Sequence, residues 1–192
     1  YEIIFMAVFV ILVILLVLYI VHENYRRDQE LMKYAQTDAL TGLYNKETTK
    51  LRTDEILSTD KDMIHAFLIL DMDCFKQIND GYGHAVGDIV LQKFGQLLRD
   101  IFREDDIVGR IGGDEFVVVM KNVKMKEMAI AKAEELLTKT QQYEIKELNG
   151  SAISISIGIA MAPEDGDCYM DLYKNADTAL YESKQNGKDG YH

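Results

Sequence analysis

The stretch Ile107-Val-Gly-Arg-Ile-Gly-Gly-Asp-Glu-Phe-Val-Val-Val-Met120 decides the fold of this chain. It contains two short apolar runs, Ile107 to Ile111 and Glu115 to Met120, on either side of a Gly-Gly turn. This pattern predicts a β-hairpin, because glycine lets a turn form with no side chain in the way. The turn carries two adjacent carboxyl groups, Asp114 and Glu115, so one end of the hairpin is acidic.

A second acidic turn, Asp71-Met72-Asp73, follows the apolar run Met63 to Leu70, which has the length of a strand. Carboxylates from two places in the sequence, brought to one edge of a sheet, suit a hard divalent ion that also holds nucleotide phosphates. The two turns therefore predict a magnesium site for phosphoryl transfer. The alternative is that these residues cap solvent-exposed turns, and the apolar strands beside both turns disfavour it.

Other periodic segments predict helices and a second hairpin around this sheet. The clearest helix pattern runs from Ile89 to Phe102, where apolar residues recur every three or four positions. A hairpin is expected where Asn149-Gly150 separates Tyr143 to Leu148 from Ser151 to Ile159, and alternating isoleucines place one face of the second strand in the core. An amphipathic helix is expected at Lys46 to Leu57, and further helices are expected at Lys124 to Thr140 and Tyr169 to Gln185. The fold class is therefore α+β, with a mostly antiparallel sheet flanked by helices.

The N-terminal residues differ in composition from the rest of the chain. From Ile3 to Val21 there is no charged residue, and at helical rise this run spans roughly 28 Å, which matches the bilayer core. We expect one transmembrane helix in residues 1–21, a short helical stalk in residues 22–37 and a folded domain in residues 38–192. The stalk pattern is equally compatible with a solvated helical spacer.

Basic residues lie on one side of this apolar run. Arg26, Arg27 and Lys33 follow it, whereas Glu2 is the only charged residue before it. Positive charge favours the cytoplasmic side, so the folded domain is expected in the cytoplasm, at the inner face of a cell membrane that the chain crosses at least once. Because the sequence begins at Tyr1 rather than Met, we also expect an upstream sensory portion.

Charge and cysteine usage exclude some classes of function. The formal net charge is -11, so basic residues are too few to neutralise the many phosphates of a nucleic-acid polymer. The two cysteines, Cys74 and Cys168, lack the spacing of metal ligands or of a disulfide framework, which is typical of a reducing compartment.

Six motifs occur in one order from residue 38 to the C-terminus, and together they resemble the GGDEF family of diguanylate cyclases. They are Asp38-Ala-Leu-Thr-Gly-Leu-Tyr-Asn45, Asp71-Met-Asp-Cys-Phe-Lys-Gln-Ile-Asn-Asp80, Gly83-His84 to Gly87-Asp88, Arg110-Ile-Gly-Gly-Asp-Glu-Phe116, Ser156-Ile-Gly158 and Ala179-Leu-Tyr-Glu-Ser-Lys184. The resemblance implies a palm-like fold, similar to nucleotidyl cyclases and polymerases, and the conversion of two GTP into cyclic di-GMP and pyrophosphate. It also implies a homodimer, because each domain would bind one GTP.

The resemblance also assigns the metal site. Asp71, Asp114 and the backbone carbonyl of Met72 would hold Mg²⁺, with Mn²⁺ as an alternative. Asp114, supported by Glu115, would help to deprotonate the attacking 3′-hydroxyl. One departure is Cys74, where relatives often carry histidine or another polar residue; it puts redox sensitivity or altered loop packing in question, but not the metal site.

Positively charged residues are expected to contact the phosphates. Phe75 and Lys76 lie in the predicted turn after the first acidic pair, where backbone N–H groups can bind phosphate, and Lys76 matches the lysine that stabilises the transition state. Lys184 and Lys188 match the triphosphate clamp, although the second position is often arginine in relatives. Without the resemblance, lysines at this spacing are more typical of a solvated helix face.

The guanine base has its own predicted contacts. Asn79 and Asp88 match the base-binding residues, and His84 matches a neighbouring substrate contact. A carboxylate accepts from guanine N1–H and the exocyclic amino group, whereas adenine presents an acceptor at N1, so Asp88 favours GTP over ATP. The alternative is that Asn79 and Asp88 cap helices and that His84 fills a loop.

The resemblance also implies a product-binding inhibitory site at Arg103-Glu-Asp-Asp106, five residues before the Gly-Gly pair that begins at Gly112. A guanidinium suits guanine or phosphate, and a carboxylate suits the guanine donors. An ion pair at a helix end is the simpler interpretation of the four residues alone.

Two other functions stay open at this stage. One is a catalytically inactive receptor that binds GTP or cyclic di-GMP and signals to a partner. The other is a cyclase of mixed purine specificity, which Asp88 disfavours.

Overall fold

The computed structural model describes residues 1, 6, 14–26, 36–185 and 189–192. The chain divides into two compact units, Tyr1–Gln36 and Thr37–His192. In the first unit, residues 14–26 are helical. Across the part of the chain that the structure describes, no helix is both long and apolar enough to span a bilayer. The predicted transmembrane helix and stalk lie partly outside the described residues, and both remain predictions.

The second unit is built on one five-stranded sheet with the order β2-β3-β1-β4-β5. Neighbouring strands are antiparallel, except that β5 runs parallel to β4. The predicted α+β fold with a mostly antiparallel sheet is therefore confirmed. The strands are β1 (His65–Met72), β2 (Ile107–Arg110), β3 (Glu115–Met120), β4 (Ile155–Ala162) and β5 (Gly190–Tyr191).

Helices cover both faces of the sheet. The helices are α1 (Lys46–Thr59), α2 (Phe75–Tyr82), α3 (His84–Ile101), α4 (Lys126–Gln142) and α5 (Tyr169–Gln185). Apolar residues of α3 and α4 form one hydrophobic core with the sheet, and those of α1 and α5 form a second core on the opposite face. The two cores explain why β1 is apolar without interruption from Ala66 to Leu70.

Strand β1 contributes alternate residues to the two cores. Leu68 and Leu70 belong to the core with α3, whereas Phe67 and Ile69 belong to the core with α5. Aromatic pairs support both sides: Phe94 of α3 lies edge-on to Phe116 of β3 at 4.9 Å, and Phe67 lies edge-on to Tyr169 of α5 at 5.4 Å. The ring-to-ring distances fall in the range where such pairs add to packing.

Helix α1 is confirmed, but its predicted amphipathic character is wrong. The buried face consists of Thr48, Thr49, Thr53 and Leu57 rather than an apolar stripe. The hydroxyls of Thr49 and Thr53 donate to the carbonyls four residues earlier, at 2.8 and 2.7 Å, so burial leaves them paired. Thr49 also packs so closely on Gly109 of β2 that a side chain there would collide with it.

The predicted hairpin around Asn149-Gly150 is wrong in its first half. Residues Lys146–Leu148 form a 3-10 turn, and only Ile145 and Ser151 make a bridge across the loop. Asn149 and Gly150 both have positive φ, at 56° and 81°, as the tight turn requires. The turn signal was therefore correct, but no strand precedes it.

The prediction that one face of β4 lies in the core is confirmed, but the opposite face is buried as well. Ser156 and Gly158 are buried, like Ile155 and Ile157 on the opposite face. A β-carbon on Gly158 would collide with the carbonyl oxygen of Ala176 and the backbone nitrogen of Leu180 in α5. Small residues therefore mark where a helix packs closely on the strand, not where the strand meets water.

Candidate functional site

The two acidic turns lie at the same edge of the sheet. In the antiparallel pairing of β1 with β3, Asp71 is opposite Glu115. The pairing continues one step further, because the Met72 N–H donates to the Asp114 carbonyl at 3.3 Å. The end of β1 and the Gly-Gly turn before β3 are therefore neighbours, and the fold brings together the residues predicted to hold a metal.

A lysine from α5 reaches this edge. The Nζ atom of Lys184 lies 2.8 Å from Asp71 Oδ1, and the Asp71 side chain is only 14% exposed. The last turn of α5 therefore lies beside the end of β1. Lys184 is thus placed to contact any anion that binds at the acidic edge. The second predicted clamp residue, Lys188, lies outside the described residues.

Two carboxyl groups at this edge, those of Asp71 and Glu115, have raised pKa values. Burial raises the pKa of Asp71, and the negative charges of Asp114 and Asp73 add to the increase, while the hydrogen bond and charge of Lys184 oppose it. Burial also raises the pKa of Glu115, and the charges of Asp71 and Asp114 raise it further. Crowded, partly buried carboxylates of this kind favour any added positive charge.

The donor set fits a divalent cation of the magnesium type. Asp71, Asp114 and the Met72 carbonyl offer only oxygen atoms, which hard cations prefer. Within the described residues, Asp71 and Asp114 are not part of a compact cluster of three metal-ligating side chains. The only cluster of that kind among these residues consists of Asp167, Cys168 and Asp171, at the start of α5. Without a cation between them the carboxylates repel one another, and Lys184 supplies the positive charge beside Asp71.

Asp73 is buried and plays a different part from Asp71. Its Oδ1 accepts from Ser156 Oγ at 2.8 Å, and its Oδ2 accepts from Ser154 Oγ at 2.5 Å and from the Asp189 N–H at 3.2 Å. Its own N–H donates to the Ser154 carbonyl at 2.9 Å. Of the two acids in the Asp-Met-Asp turn, only Asp71 contacts Lys184.

Phe75 and Lys76 begin helix α2 rather than lying in a turn, which corrects the prediction for this segment. The preceding Cys74 has φ 57°, a left-handed conformation that turns the chain from β1 into α2. The Phe75 side chain is buried in the core with α3, whereas the Lys76 side chain is exposed. Phe75 can therefore meet a substrate only through its backbone, and Lys76 can use its ammonium.

The predicted base-binding residues lie on two adjacent helices. Asn79 is in α2, while His84 is the first residue of α3 and Asp88 lies one turn further along it. A β-carbon on Gly87 would collide with Asn79 Oδ1, so Asn79 packs directly on the backbone next to Asp88. His84 and Asp88 are exposed and Asn79 is half-buried. The two helices thus present an amide and a carboxylate side by side.

Arg110 connects the Gly-Gly turn to the start of the domain. Its guanidinium donates to the Gly113 carbonyl at 2.8 and 3.2 Å and to both oxygens of Asp38 at 3.0 and 3.2 Å. Asp38 also accepts from the N–H and the hydroxyl of Thr41. Arg110 therefore fixes the turn that carries Asp114. Arg110 stands in one of the sequence motifs, but the sequence alone predicts no role for it.

Arg103 and Asp106 line one cavity of about 370 Å³, together with Arg99 and Tyr44. The Asp106 carboxylate is already bonded, because one oxygen accepts from the Arg103 N–H and the other from the Lys121 N–H, each at 3.0 Å. Asp106 therefore shapes the loop after α3, and a ligand in the cavity would meet its remaining lone pairs.

Asp177 also lies near this edge, although no sequence motif contains it, and its negative charge acts on Glu115. Asp177 precedes Lys184 by seven residues in α5, so both side chains lie on the same face of that helix. This spacing could have identified Asp177, because Lys184 already marked the face of α5 that meets the acidic edge.

The fold and its acidic sheet edge define a palm-like domain of the nucleotidyl cyclase type. The family model described as the diguanylate cyclase GGDEF domain matches residues 35–190, and the chain belongs to this family. Proteins with this domain include several named diguanylate cyclases.

Individual relatives agree with this assignment. The bifunctional diguanylate cyclase/cyclic di-GMP phosphodiesterase MucR of Pseudomonas aeruginosa is 37% identical over 169 residues, which is 86% of this chain and 24% of MucR. The GGDEF domain of TpbB from the same species superposes with a TM-score of 0.75 at 35% identity, covering 80% of this chain and 91% of that one. The chain spans between 22% and 56% of the length of four curated relatives that it matches.

A further solved structure carries a ligand. The GGDEF domain of DgcB from Caulobacter crescentus, in complex with cyclic di-GMP, superposes with a TM-score of 0.74 at 25% identity. The superposition covers 82% of this chain and 95% of the DgcB chain.

Proposed function

We propose that this chain is a diguanylate cyclase that condenses two GTP into cyclic di-GMP and two pyrophosphates across a dimer of GGDEF domains. The observation that carries the proposal is the acidic sheet edge, where Asp71 lies opposite Glu115 and contacts Lys184. Carboxylates and an ammonium at one edge are the groups that a metal-bound triphosphate needs. Membership of the GGDEF family is the second support.

The chain's own residues have distinct parts in this reaction. The 3′-oxygen of one GTP attacks the α-phosphorus of the other, the bond from that phosphorus to the β-phosphate oxygen breaks, and pyrophosphate leaves. Asp114, supported by Glu115, takes the proton of the attacking hydroxyl. Lys76 stabilises the charge that develops on the phosphate oxygens, and Lys184 binds the triphosphate. Lys188, outside the described residues, is proposed to assist Lys184.

The cofactor is proposed to be Mg²⁺, with Mn²⁺ as an alternative. Asp71, Asp114 and the Met72 carbonyl would hold the ion, and their oxygen-only donor set matches its preference. When bound, the ion supplies charge compensation to the phosphate oxygens.

Guanine selection is proposed to rest on Asn79 and Asp88, with His84 contacting the substrate nearby. The close packing of Asn79 on Gly87 holds its amide next to Asp88. An adenine base would leave Asp88 facing the lone pair of N1, which costs affinity because two hydrogen-bond acceptors then face each other.

Replacing Asp114 with Asn tests the catalytic proposal. The variant is expected to make no cyclic di-GMP from GTP and magnesium, because an amide cannot take the proton and is a poorer metal ligand. Nucleotide analysis by mass spectrometry after incubation is the measurement, with Asp62→Asn as an exposed acid-to-amide control that keeps activity. Retained activity in Asp114→Asn would remove this residue from the mechanism.

Product inhibition at Arg103 and Asp106 is a separate part of the proposal. Both residues line the same cavity, and the DgcB domain was solved with cyclic di-GMP bound. We expect Arg103→Ala to weaken inhibition by added cyclic di-GMP, whereas Arg26→Ala, an exposed arginine in the first unit, should not. An inhibition curve unchanged by Arg103→Ala would reject the site.

The alternative function is an inactive receptor for GTP or cyclic di-GMP that signals to a partner. The receptor function is disfavoured by the presence of Asp71, Asp114 and Lys184, because a receptor has no evident need for metal ligands beside a phosphate-binding lysine. Binding of GTP by the purified chain without any turnover would favour the receptor.

The membrane location is also proposed. Residues 14–21 are helical and uncharged, and their apolar side chains are exposed. A helix with that surface is stable in a lipid environment. Flotation of the chain with membranes after an alkaline wash would support an integral anchor, and release by the wash would contradict it.

A further inference from the structure

The contacts of Asp73 form part of a closed circuit around the acidic edge. Asp73 accepts from the Asp189 N–H, and the next residue, Gly190, pairs with Ser156 as β5 runs beside β4. The Ser183 hydroxyl donates to the Gly190 carbonyl at 2.8 Å. Ser183 precedes Lys184, and the contact of the Lys184 ammonium with the Asp71 carboxylate closes the circuit.

This circuit joins two segments that are far apart in the sequence. Asp73 lies in the turn that carries Asp71, and Asp189 lies just beyond the end of α5. Helix ends fray unless their groups have partners, so the position of Lys184 depends on what holds the residues that follow it. Because β5 has only two residues, the hydrogen bond from the Asp189 N–H to Asp73 contributes substantially to fixing this segment.

We propose that Asp73 is a positioning residue that holds the Lys184 end of α5 against the metal-binding turn, so that its loss weakens nucleotide binding rather than the chemical step. Among the residues that the structure describes, the two oxygens of Asp73 accept from uncharged groups, namely two serine hydroxyls and one backbone N–H, so the carboxylate is engaged in holding the protein together. The proposal rests on the proposed function, because it concerns how the same site grips magnesium and GTP.

The test compares Asp73→Ala with Asp73→Asn. Asp73→Ala removes every acceptor, whereas the isosteric Asp73→Asn keeps one oxygen that can face the Asp189 N–H. Asp73→Ala is expected to raise the KM for GTP about tenfold with kcat little changed, the effect of losing a hydrogen bond to a charged group. The KM for GTP of Asp73→Asn is expected to be much closer to that of the unmodified chain than to that of Asp73→Ala.

Asp165→Ala is the matched control. The Asp165 carboxylate also accepts from a backbone N–H of β4, that of Met161 at 2.6 Å, but at the opposite end of the strand. Its loss is expected to lower the Tm without a change in the KM for GTP. If Asp73→Ala likewise lowers only the Tm, or if it abolishes kcat at an unchanged KM, the positioning role is overturned.

Ser183→Ala tests the circuit itself. It breaks the bond between α5 and Gly190, so its effect on the KM for GTP is expected to be largely lost when Asp73 is already alanine. Independent effects, in which the two fold-changes multiply, would overturn the circuit.

Two readouts separate this proposal from the proposed function. Affinity for a non-reactive α,β-methylene analogue of GTP with magnesium needs no turnover, so it tests Asp73 even if the chain makes no cyclic di-GMP. Hydrogen exchange of the Asp189 amide needs no nucleotide. Asp73→Ala should weaken binding of the analogue and lower protection of that amide. Full protection in Asp73→Ala would overturn the proposal whatever the activity of the unmodified chain.

Discussion

Asp71 and Asp73 are two residues apart, yet the fold gives their carboxyl groups different neighbours. Asp71 lies beside Lys184 and faces the strand that carries Glu115, whereas Asp73 is enclosed by Ser154 and Ser156. Residues at i and i+2 of a strand lie on the same face, but β1 ends at Met72 and the chain turns before Asp73. An acidic pair in a sequence is therefore not a pair of metal ligands by itself.

Tyr169 offers a test of polar burial at a single atom. Its ring packs edge-on to Phe67 and stacks on Tyr173, but its hydroxyl is buried with no hydrogen-bond partner among the residues that the structure describes. Tyr169→Phe is expected to raise the free energy of unfolding by about 1 kcal/mol, because it removes an unsatisfied group and keeps the ring. Urea unfolding measures this change.

Tyr173→Phe is the control for that substitution. Tyr173 is only half-buried, so loss of its hydroxyl is expected to change the unfolding free energy by less than about 0.5 kcal/mol. A destabilised Tyr169→Phe variant would mean that the hydroxyl has a partner, such as water, in solution.

Asp38 gives a prediction with a defined pH dependence. Burial alone would raise the pKa of Asp38, but hydrogen bonds from Thr41 and Arg110, with the Arg110 charge, hold it below its usual value. The folded state therefore favours the ionised carboxyl. The resulting stability is present above the unfolded pKa of about 3.9 and is lost as the pH falls through the folded pKa.

The measurement compares the unmodified chain with Asp38→Asn. At pH 7 the variant is expected to be less stable by about 1–2 kcal/mol. The difference should shrink as the pH falls below about 4. A difference that stays constant down to pH 3 would show that charge at Asp38 is not what stabilises the entry to the domain.

At the scale of the elements, the contact between α5 and β4 positions the site. Gly158 lets the helix backbone approach the strand, and Lys184 then reaches Asp71 from the end of that helix. Gly158→Ala is expected to destabilise the domain by about 1–3 kcal/mol, because the new methyl group meets backbone rather than a movable side chain. Nucleotide binding should also weaken as α5 shifts.

Gly81→Ala makes the same chemical change where there is room for it. A β-carbon at Gly81 of α2 meets no atom within 4 Å, so this variant is expected to be neutral or more stable by up to about 1 kcal/mol. Thermal unfolding of both variants is the measurement. Equal Tm values for the two would contradict the packing argument.

The elements also show how far a sequence alone can predict this structure. Strand β1 and helices α3 and α5 were predictable, because their apolar residues repeat over many positions. The buried threonines of α1 were not, since their hydroxyls find partners within the helix itself. The 3-10 turn at Lys146–Leu148 and the two-residue β5 were missed because neither has a long periodic pattern.

The residues of the candidate site were likewise predictable only where they belong to a recognisable sequence pattern. Asp71, Asp114 and Lys184 could be proposed from motifs, and the fold brings them to one edge. The role of Arg110 could not be proposed in this way, because it depends on a contact with Asp38 in a distant segment, whereas Asp177 could be found only from its seven-residue spacing to Lys184. Phe75 was placed in a turn since eight residues containing a glycine gave a weak helix signal.

At the scale of the whole molecule, one domain supplies one acidic edge, so the proposed reaction needs two chains. The rate per chain is then expected to rise with protein concentration and to level off when the dimer is fully formed. Specific activity measured over a wide range of chain concentrations, with the mass determined by light scattering, tests this. A constant specific activity in a range where the chain is monomeric would contradict a two-domain mechanism.

The Ser156-Ile-Gly158 motif helped to reveal the family, yet its atoms carry no chemistry. Ser156 supports Asp73, and Gly158 makes space for a helix. This motif would be retained in a related domain that had lost catalytic activity, because the fold still requires it. The carboxylates and lysines of the acidic edge are therefore the residues that distinguish active from inactive domains. The tripeptide indicates only common ancestry.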